Sequence, residues 1–475
     1  MSATGTFKFR RAPLVRLSIN SFTTQRERCA RSLAAFLKGH TQKMSVQSKR
    51  FHFIYTGESD RGAGAISEYL GQSLASESLL SGLPILTKQR KSNMVRRVVV
   101  SLCLVALSGC YALPLDPQYR GPEPRPTELF DYYAVGDSYR NHTVQIVTQS
   151  PRFTLKRITI DTAVGKTTID YYDRPGDTDS LVLVFPVLGG RKNVIENYFA
   201  EYFARYGFDA AIVHRSEDFK KPENIDRLEE LFRANVIRDR IALDFFEREY
   251  GKKKFGSFGI SRGAINVAMT AGVEPRLSHN VMLLGGSDLV SVFKRSDQGR
   301  IRRYIDSVTQ AKNITPEEFF QQLRAQLRTE PGHVVRHMDA RNTLLFLGMF
   351  DRTVPFRYGL KLRRQLGLPR TVFLPAGHYT SILYTQFAKI LPPSDEYALF
   401  PIDYIELEAL HFYRRAFETT PHTSLRLTLL RLLRTPFDLI GGVVNSIRGI
   451  SHDEELPNGP HSPRTVTPIE PDIAE

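Results

Sequence analysis

The chain predicts an α/β fold, a mostly parallel central sheet with helices on both faces, and three observations carry that expectation. Six short apolar runs recur between residues 181 and 374, each too short for a buried helix and rich in branched side chains. Segments with apolar residues at helical spacing lie between them. One run feeds directly into Gly259-Ile-Ser261-Arg-Gly263, where small residues on either side of a serine let a strand and a helix approach closely. Runs that are apolar on both faces, joined by amphipathic helices, suit a parallel sheet that is covered on both sides.

Taken in order, two alternating segments come first, Phe153–Ile160 and Thr167–Tyr172, and are expected as an antiparallel edge. The core strands follow at Leu181–Phe185, Ala210–Val213, Phe255–Phe258, Val281–Leu284, Leu344–Leu347 and Val372–Leu374. Between the second and third, Pro222–Tyr250 repeats Ile225, Leu228, Phe232, Val236, Phe245 and Phe246 at roughly helical spacing. Between the fourth and fifth lies a helical insertion, about 287–342, with helices predicted at Asp288–Lys294, Arg300–Thr309 and from Thr315 to Arg328. The last starts on a capping box, with Thr315 as N-cap, Pro316 in the first turn and Glu318 reaching back. Lys294, Arg295, Arg300, Arg302 and Arg303 make this insertion basic, which fits a solvated face or, less simply, an anionic substrate or lipid surface.

Two motifs follow the serine turn. One apolar run ends in Gly348-Met-Phe-Asp351-Arg-Thr-Val-Pro355, and the next ends in Pro375-Ala-Gly377-His378. Serine, then aspartate, then histidine, each just past a strand-like run, resembles the α/β-hydrolase family, and the resemblance covers about residues 140–415. It implies the α/β-hydrolase fold with the insertion as a lid over the pocket. It further implies that Ser261 is a nucleophile, that His378 takes and returns its proton, and that Asp351 orients the imidazole. Asp288, after the Val281–Leu284 run, is the rival for the acid role, because some members take the acid from there. The oxyanion needs two backbone donors. One is expected at Arg262; the other falls at Val187 or Leu188, because this chain has Pro186-Val187 where the family often has His-Gly, and proline has no N–H.

The resemblance implies cleavage of an ester or thioester, from a small molecule or a lipid, through an acyl-enzyme and with no cofactor or metal. A transferase would use the same residues. The alternative is a catalytically inactive hydrolase-fold lipoprotein with a binding or structural role in the envelope. No internal repeat, phosphate loop or metal-ligand cluster stands out.

An address precedes the domain. Met94-Val-Arg96-Arg97 leads into a run of about ten apolar residues and then Leu107-Ser108-Gly109-Cys110, a secretory signal too short to span a bilayer. The tetrapeptide resembles the bacterial lipobox, which implies cleavage before Cys110, lipidation of its thiol and, with Tyr111 next, the periplasmic face of the outer membrane. The other two of the three cysteines, Cys29 and Cys103, lie upstream of that point. Residues 1–93 hold fifteen Lys and Arg against five Asp and Glu, and so carry +10 of the chain's +15. They are expected to be a non-native or disordered extension, with translation starting at Met94; an organellar targeting segment is the alternative. The basic balance therefore argues little for nucleic acid, and none is expected as a partner. The remaining divisions are a signal at 94–109, a proline-rich tether at 110–139, the hydrolase domain at 140–420, a basic amphipathic helix region at 421–450 and a disordered tail at 451–475. The segment 425–447, apolar and punctuated by arginines, is expected either to pack on the core or to lie in a lipid interface, where Pro436 and Gly441-Gly442 interrupt it.

Overall fold

The computed structural model describes residues 110–136, 138–187, 194–386, 403–418 and 424–452, with side chains up to Val443. The expectations for residues 1–109, for Leu188 and for residues 453–475 lie outside the described residues. In chain order the strands and helices are β1 (Tyr111–Leu113), α1 (Thr127–Tyr132), β2 (His142–Gln149), β3 (Thr154–Thr162), β4 (Gly165–Asp173), β5 (Ser180–Phe185), α2 (Val194–Arg205), β6 (Asp209–Val213), α3 (Leu228–Tyr250), β7 (Lys254–Ile260), α4 (Arg262–Val273), β8 (Leu277–Leu283), α5 (Leu289–Arg295), α6 (Gly299–Lys312), α7 (Pro316–Gln326), α8 (Pro331–Val334), β9 (Thr343–Gly348), α9 (Phe356–Gln365), β10 (Arg370–Leu374), α10 (Tyr404–Phe417) and α11 (Leu425–His452).

All ten strands form one sheet in the order β1-β10-β9-β8-β7-β5-β6-β4-β3-β2. The six predicted core runs are its six mutually parallel strands, β10 to β6. Every residue of β5 and β9 is buried, because helices cover both faces and each side chain meets a core whichever way it points. β4, β3 and β2 continue the sheet antiparallel beyond β6. The chain leaves β5 for β6 on one side and returns to β7 on the other. Such a reversal lies at the C-terminal ends of β5 and β7, the place where open α/β sheets bind ligands.

The insertion consists of α5 to α8, and the capping box at Thr315 and Glu318 forms. An apolar cluster that includes Phe232, Ile265, Met269, Val290, Val308 and Phe319 lies between these helices and α3 and α4. The backbone N–H groups of Arg328 and Thr329 donate to Glu229 on α3, so the insertion is fastened to the domain as well as laid over it.

Residues 110–139 differ from a free tether. Tyr111–Leu113 add an antiparallel edge strand to β10, with Tyr111 stacked on Phe373 at 4.6 Å. Asp116 N–H donates to the Leu368 carbonyl, and Arg125 donates to the carbonyls of Ala271 and Gly272. The open edge of β10 offers unpaired backbone groups, and three apolar residues in extended form satisfy them. Strand β2, which no burial pattern announced, is exposed along its whole length and is held by backbone pairing to β3.

The 425–447 segment is one helix through Pro436. Leu427 is buried, Arg431 and Arg434 reach Glu408 on α10, and Gly441 sits against the Tyr111 ring. Its other face leaves Leu425, Leu429, Leu432, Leu433, Leu439, Ile440 and Val443 exposed. Among the described residues no helix is long and apolar enough to cross a membrane.

Candidate active site

Ser261 occupies the turn between β7 and α4 with φ 57° and ψ −121°, a left-handed conformation that costs a non-glycine residue about 1–3 kcal/mol. The surroundings enforce it. Ser261 N–H donates to the Leu283 carbonyl at 2.8 Å. A Cβ at Gly259 would run into the backbone of Gly263, and one at Gly263 into the Phe185 carbonyl oxygen. The two glycines are thus the condition for seating α4 against the ends of β5 and β7.

The structure brings Ser261, His378 and Asp351 together. His378 follows β10, and its Nε2 lies 2.8 Å from Ser261 Oγ. Its Nδ1 lies 2.7 Å from Asp351 Oδ2. Asp351 follows β9; its Oδ1 accepts the backbone N–H groups of Thr353 and Val354, both at 2.9 Å, which fixes the carboxylate plane. Asp288, the rival acid, is elsewhere. It caps α5, accepts from Ser291 N–H and pairs with Lys361 at 2.9 Å.

Of the expected oxyanion donors, Arg262 is the first residue of α4, where the backbone N–H has no intrahelical acceptor. Val187 is at the end of β5, but its N–H donates to Glu196 Oε1. Leu188 lies outside the described residues. Cys110 is buried among Tyr404, Arg434 and Asp438, and burial, partly offset by Arg434, pushes its thiol up to about 12. Among the described residues no group of three or more His, Cys, Asp and Glu is placed to hold a metal ion.

Several residues around the site escaped the sequence. Gln298, the N-cap of α6, donates to the Tyr379 hydroxyl at 3.1 Å, and the Tyr379 ring meets His378 edge-on at 5.3 Å. Thr353 donates to Asp297 at 2.9 Å. These two bonds join the insertion to the loops that carry Asp351 and His378. Glu196 takes the Val187 N–H and Phe219 lies under the Arg262 guanidinium, and no local pattern marks either of them.

No family model and no curated protein sequence matches the chain. Among solved structures it is similar to acetyl xylan esterase 1 from Thermoanaerobacterium sp. JW/SL YS485, at 15% identity over 56% of this chain and 94% of that one, with a TM-score of 0.42. It is similar to the acetyl xylan esterase from Paenibacillus sp. R4, at 16% identity over 54% and 92%, with a TM-score of 0.43. It is also similar to carboxyl esterase 2 from Tuber melanosporum, at 16% identity over 59% and 90%, with a TM-score of 0.40. Likeness at this level carries no argument about activity, and the fold is read from the sheet itself. Its strand order, the serine turn after β7 and the loops after β9 and β10 are those of the α/β-hydrolase fold.

Proposed function

We propose that the chain is a serine hydrolase that cleaves an ester or thioester through an acyl-enzyme on Ser261. The observation that carries this reading is the unbroken row from Ser261 Oγ through the two His378 nitrogens to Asp351 Oδ2, at 2.8 and 2.7 Å. His378 Nε2 accepts the serine proton as Oγ bonds to the carbonyl carbon. The Asp351 carboxylate holds the ring in the tautomer this requires and stabilises the imidazolium. The tetrahedral oxyanion takes the Arg262 N–H. Its collapse breaks the bond to the alcohol or thiol, which leaves with the His378 proton. Water then attacks the acyl-enzyme with His378 again as base, and the acid departs. A bacterial envelope location follows from the Leu107–Cys110 tetrapeptide, with a lipid anchor on Cys110 at the periplasmic face of the outer membrane and the exposed leucines of α11 turned to lipid.

Labelling of the full-length chain with an uncharged alkyl fluorophosphonate tests the catalytic reading, because such a probe phosphonylates only an activated serine. The wild-type chain is expected to label, and Ser261→Ala and His378→Ala are not. A folded wild-type chain that stays unlabelled would overturn the reading and leave the inactive envelope scaffold.

A further inference from the structure

The side chain directly after the nucleophile ends in a cation with no acceptor among the described residues. The Arg262 guanidinium lies over the Phe219 ring, 3.5 Å from its centroid, with Phe232 at 5.6 Å. Among the described residues no carboxylate or carbonyl takes a hydrogen bond from it. The neighbouring arginine is already matched, since Arg215 donates to Asp239 Oδ2 at 2.7 Å and to the Asn235 carbonyl at 2.9 Å. Glu217, the carboxylate whose field reaches Arg262, is bonded to Lys220.

The guanidinium sits half-buried at this place, between aromatic rings and solvent. Phe219, Phe232 and Ile265, one turn along α4, belong to the apolar cluster beneath the insertion. Burial, together with the like charge of Arg215, draws the Arg262 pKa down. The guanidinium keeps its charge here all the same. A charge held half out of water without a protein partner can be completed by water or by a ligand.

The position favours the second case. Arg215 and Phe219 follow β6 and Ser261 follows β7, on either side of β5 where the strand order reverses. Arg262 therefore stands beside the strand ends where a sheet of this topology receives its ligand. Stacking on Phe219 fixes the plane of the fork and leaves its N–H edges for a bidentate oxyanion.

We propose that Arg262 is a specificity-determining residue that binds a carboxylate or phosphate carried by the substrate, so that the preferred ester is anionic. This rests on the ester chemistry proposed at Ser261. The charge can sit on either side of the scissile bond, in a diacid monoester or in an acylated glycerol phosphate.

The test compares two pairs of esters on the full-length chain: 4-nitrophenyl butyrate beside the 4-nitrophenyl monoester of glutaric acid, and butyryl glycerol beside butyryl glycerol phosphate. Wild type is expected to favour one charged ester over its neutral counterpart by about 10–100-fold in kcat/KM, the range of a hydrogen bond to a charged group. Arg262→Gln, which keeps the backbone N–H, should bring that ratio near one, and Arg262→Lys should restore part of it. On wild type alone, glutarate or glycerol phosphate should slow fluorophosphonate labelling of Ser261, and the matching diol or glycerol should not. Which anion protects separates the two sources. No preference in wild type, or an equal loss on all esters in Arg262→Gln, would overturn the inference. Absent labelling sinks the esterase reading itself, whereas labelling without anion preference sinks only the role of Arg262.

Discussion

The backbone N–H of Val187 donates to the carboxylate of Glu196. Glu196 is only 2% exposed, and its second oxygen has no partner among the described residues. The start of α4 packs against Phe185 and Pro186, so this buried acid is bonded to the loop that borders the helix opened by Ser261. The donor that the sequence assigns to the oxyanion is engaged by an anion instead. Glu196→Gln removes the charge and is expected to raise the labelling rate by about 10-fold, equivalent to about 1.4 kcal/mol. An unchanged or slower rate would show that Glu196 does not restrain the site.

The same residue sets a pH signature. Burial raises the Glu196 pKa above its ordinary 4.5, against the hydrogen bond from Val187, which lowers it. A carboxyl with a raised folded pKa contributes stability below its unfolded pKa and loses it as pH rises through the folded value. Glu196→Gln should therefore melt higher than wild type at pH 7.5, with the gap closing near pH 4. Calorimetry at both pH values decides it, and a gap that does not narrow at acid pH would contradict the linkage.

Asp351 and Asp288 both follow core strands, but only Asp351 reaches His378. Asp351→Asn is expected to lower the labelling rate by about 10³–10⁴-fold, the scale of losing the orienting acid. Asp288→Asn should label normally and lose at most about 1 kcal/mol in urea denaturation, since asparagine also caps helices and the Lys361 pair is half-exposed. Reversal of the two results would move the acid to Asp288.

What the sequence made legible was local. Ser261, Asp351 and His378 each lie within three residues of a glycine just past an apolar run, and an apolar run is its own signal of a buried strand. What stayed hidden depends on partners far away in the chain. Glu196 matters because Val187 faces it, Gln298 because Tyr379 does, and Arg262 because Phe219 lies under it. β1 is three residues long and β2 buries nothing, so neither has a hydrophobic pattern to read. Pro436 reads as a break, yet α11 runs through it. The flanking turns are held by Arg431 and Arg434 on Glu408, and the helix loses only one donor there.

The serine turn should tolerate nothing larger than glycine. Gly263→Ala places a methyl group against the Phe185 carbonyl oxygen, and is expected to abolish labelling or to cost about 3 kcal/mol as overpacking. Gly442→Ala is the contrast, because its Cβ meets nothing within 4 Å among the described residues and it lies inside a helix. It should be neutral or stabilise by about 0.5–1 kcal/mol. Equal behaviour of the two variants in labelling and urea denaturation would refute the steric account.

Glu408 is a second pH-sensitive point, with the opposite sign. It is fully buried between Arg431 at 2.6 Å, Arg370 at 2.9 Å and Arg434 at 3.4 Å. Burial alone would raise its pKa, but the Arg431 hydrogen bond and the charges of Arg370, Arg431 and Arg434 outweigh it and hold the carboxyl at about 2. A depressed folded pKa gives stability that is full above the unfolded 4.5 and is lost as pH falls toward 2. Glu408→Gln leaves three guanidinium groups facing one another and should cost about 3–5 kcal/mol at pH 7. The difference from wild type in denaturant titrations should shrink below pH 4; a constant difference would mean that the carboxylate charge is not what holds α10 to α11.

Cys110 and α11 compete for the same space. The thiol is fully buried, with its pKa pushed up to about 12, so it is both inaccessible and poorly nucleophilic. It is held there by β1 pairing to β10 and by α11 above it, where Gly441 touches the Tyr111 ring and Asp438 accepts the Ala112 N–H at 2.6 Å. A lipid on Cys110 therefore requires α11 to leave β1, and the exposed leucine face gives that helix a second surface to join once it does. Gly441→Val, whose Cβ runs into Tyr111, should loosen α11 and raise the rate of maleimide modification at Cys110 by about 100-fold, read peptide by peptide by mass spectrometry; that fold corresponds to about 2.7 kcal/mol of opening. Rapid modification of wild type would mean that α11 does not guard the thiol, and the docked helix and the lipid anchor would then be compatible in one molecule.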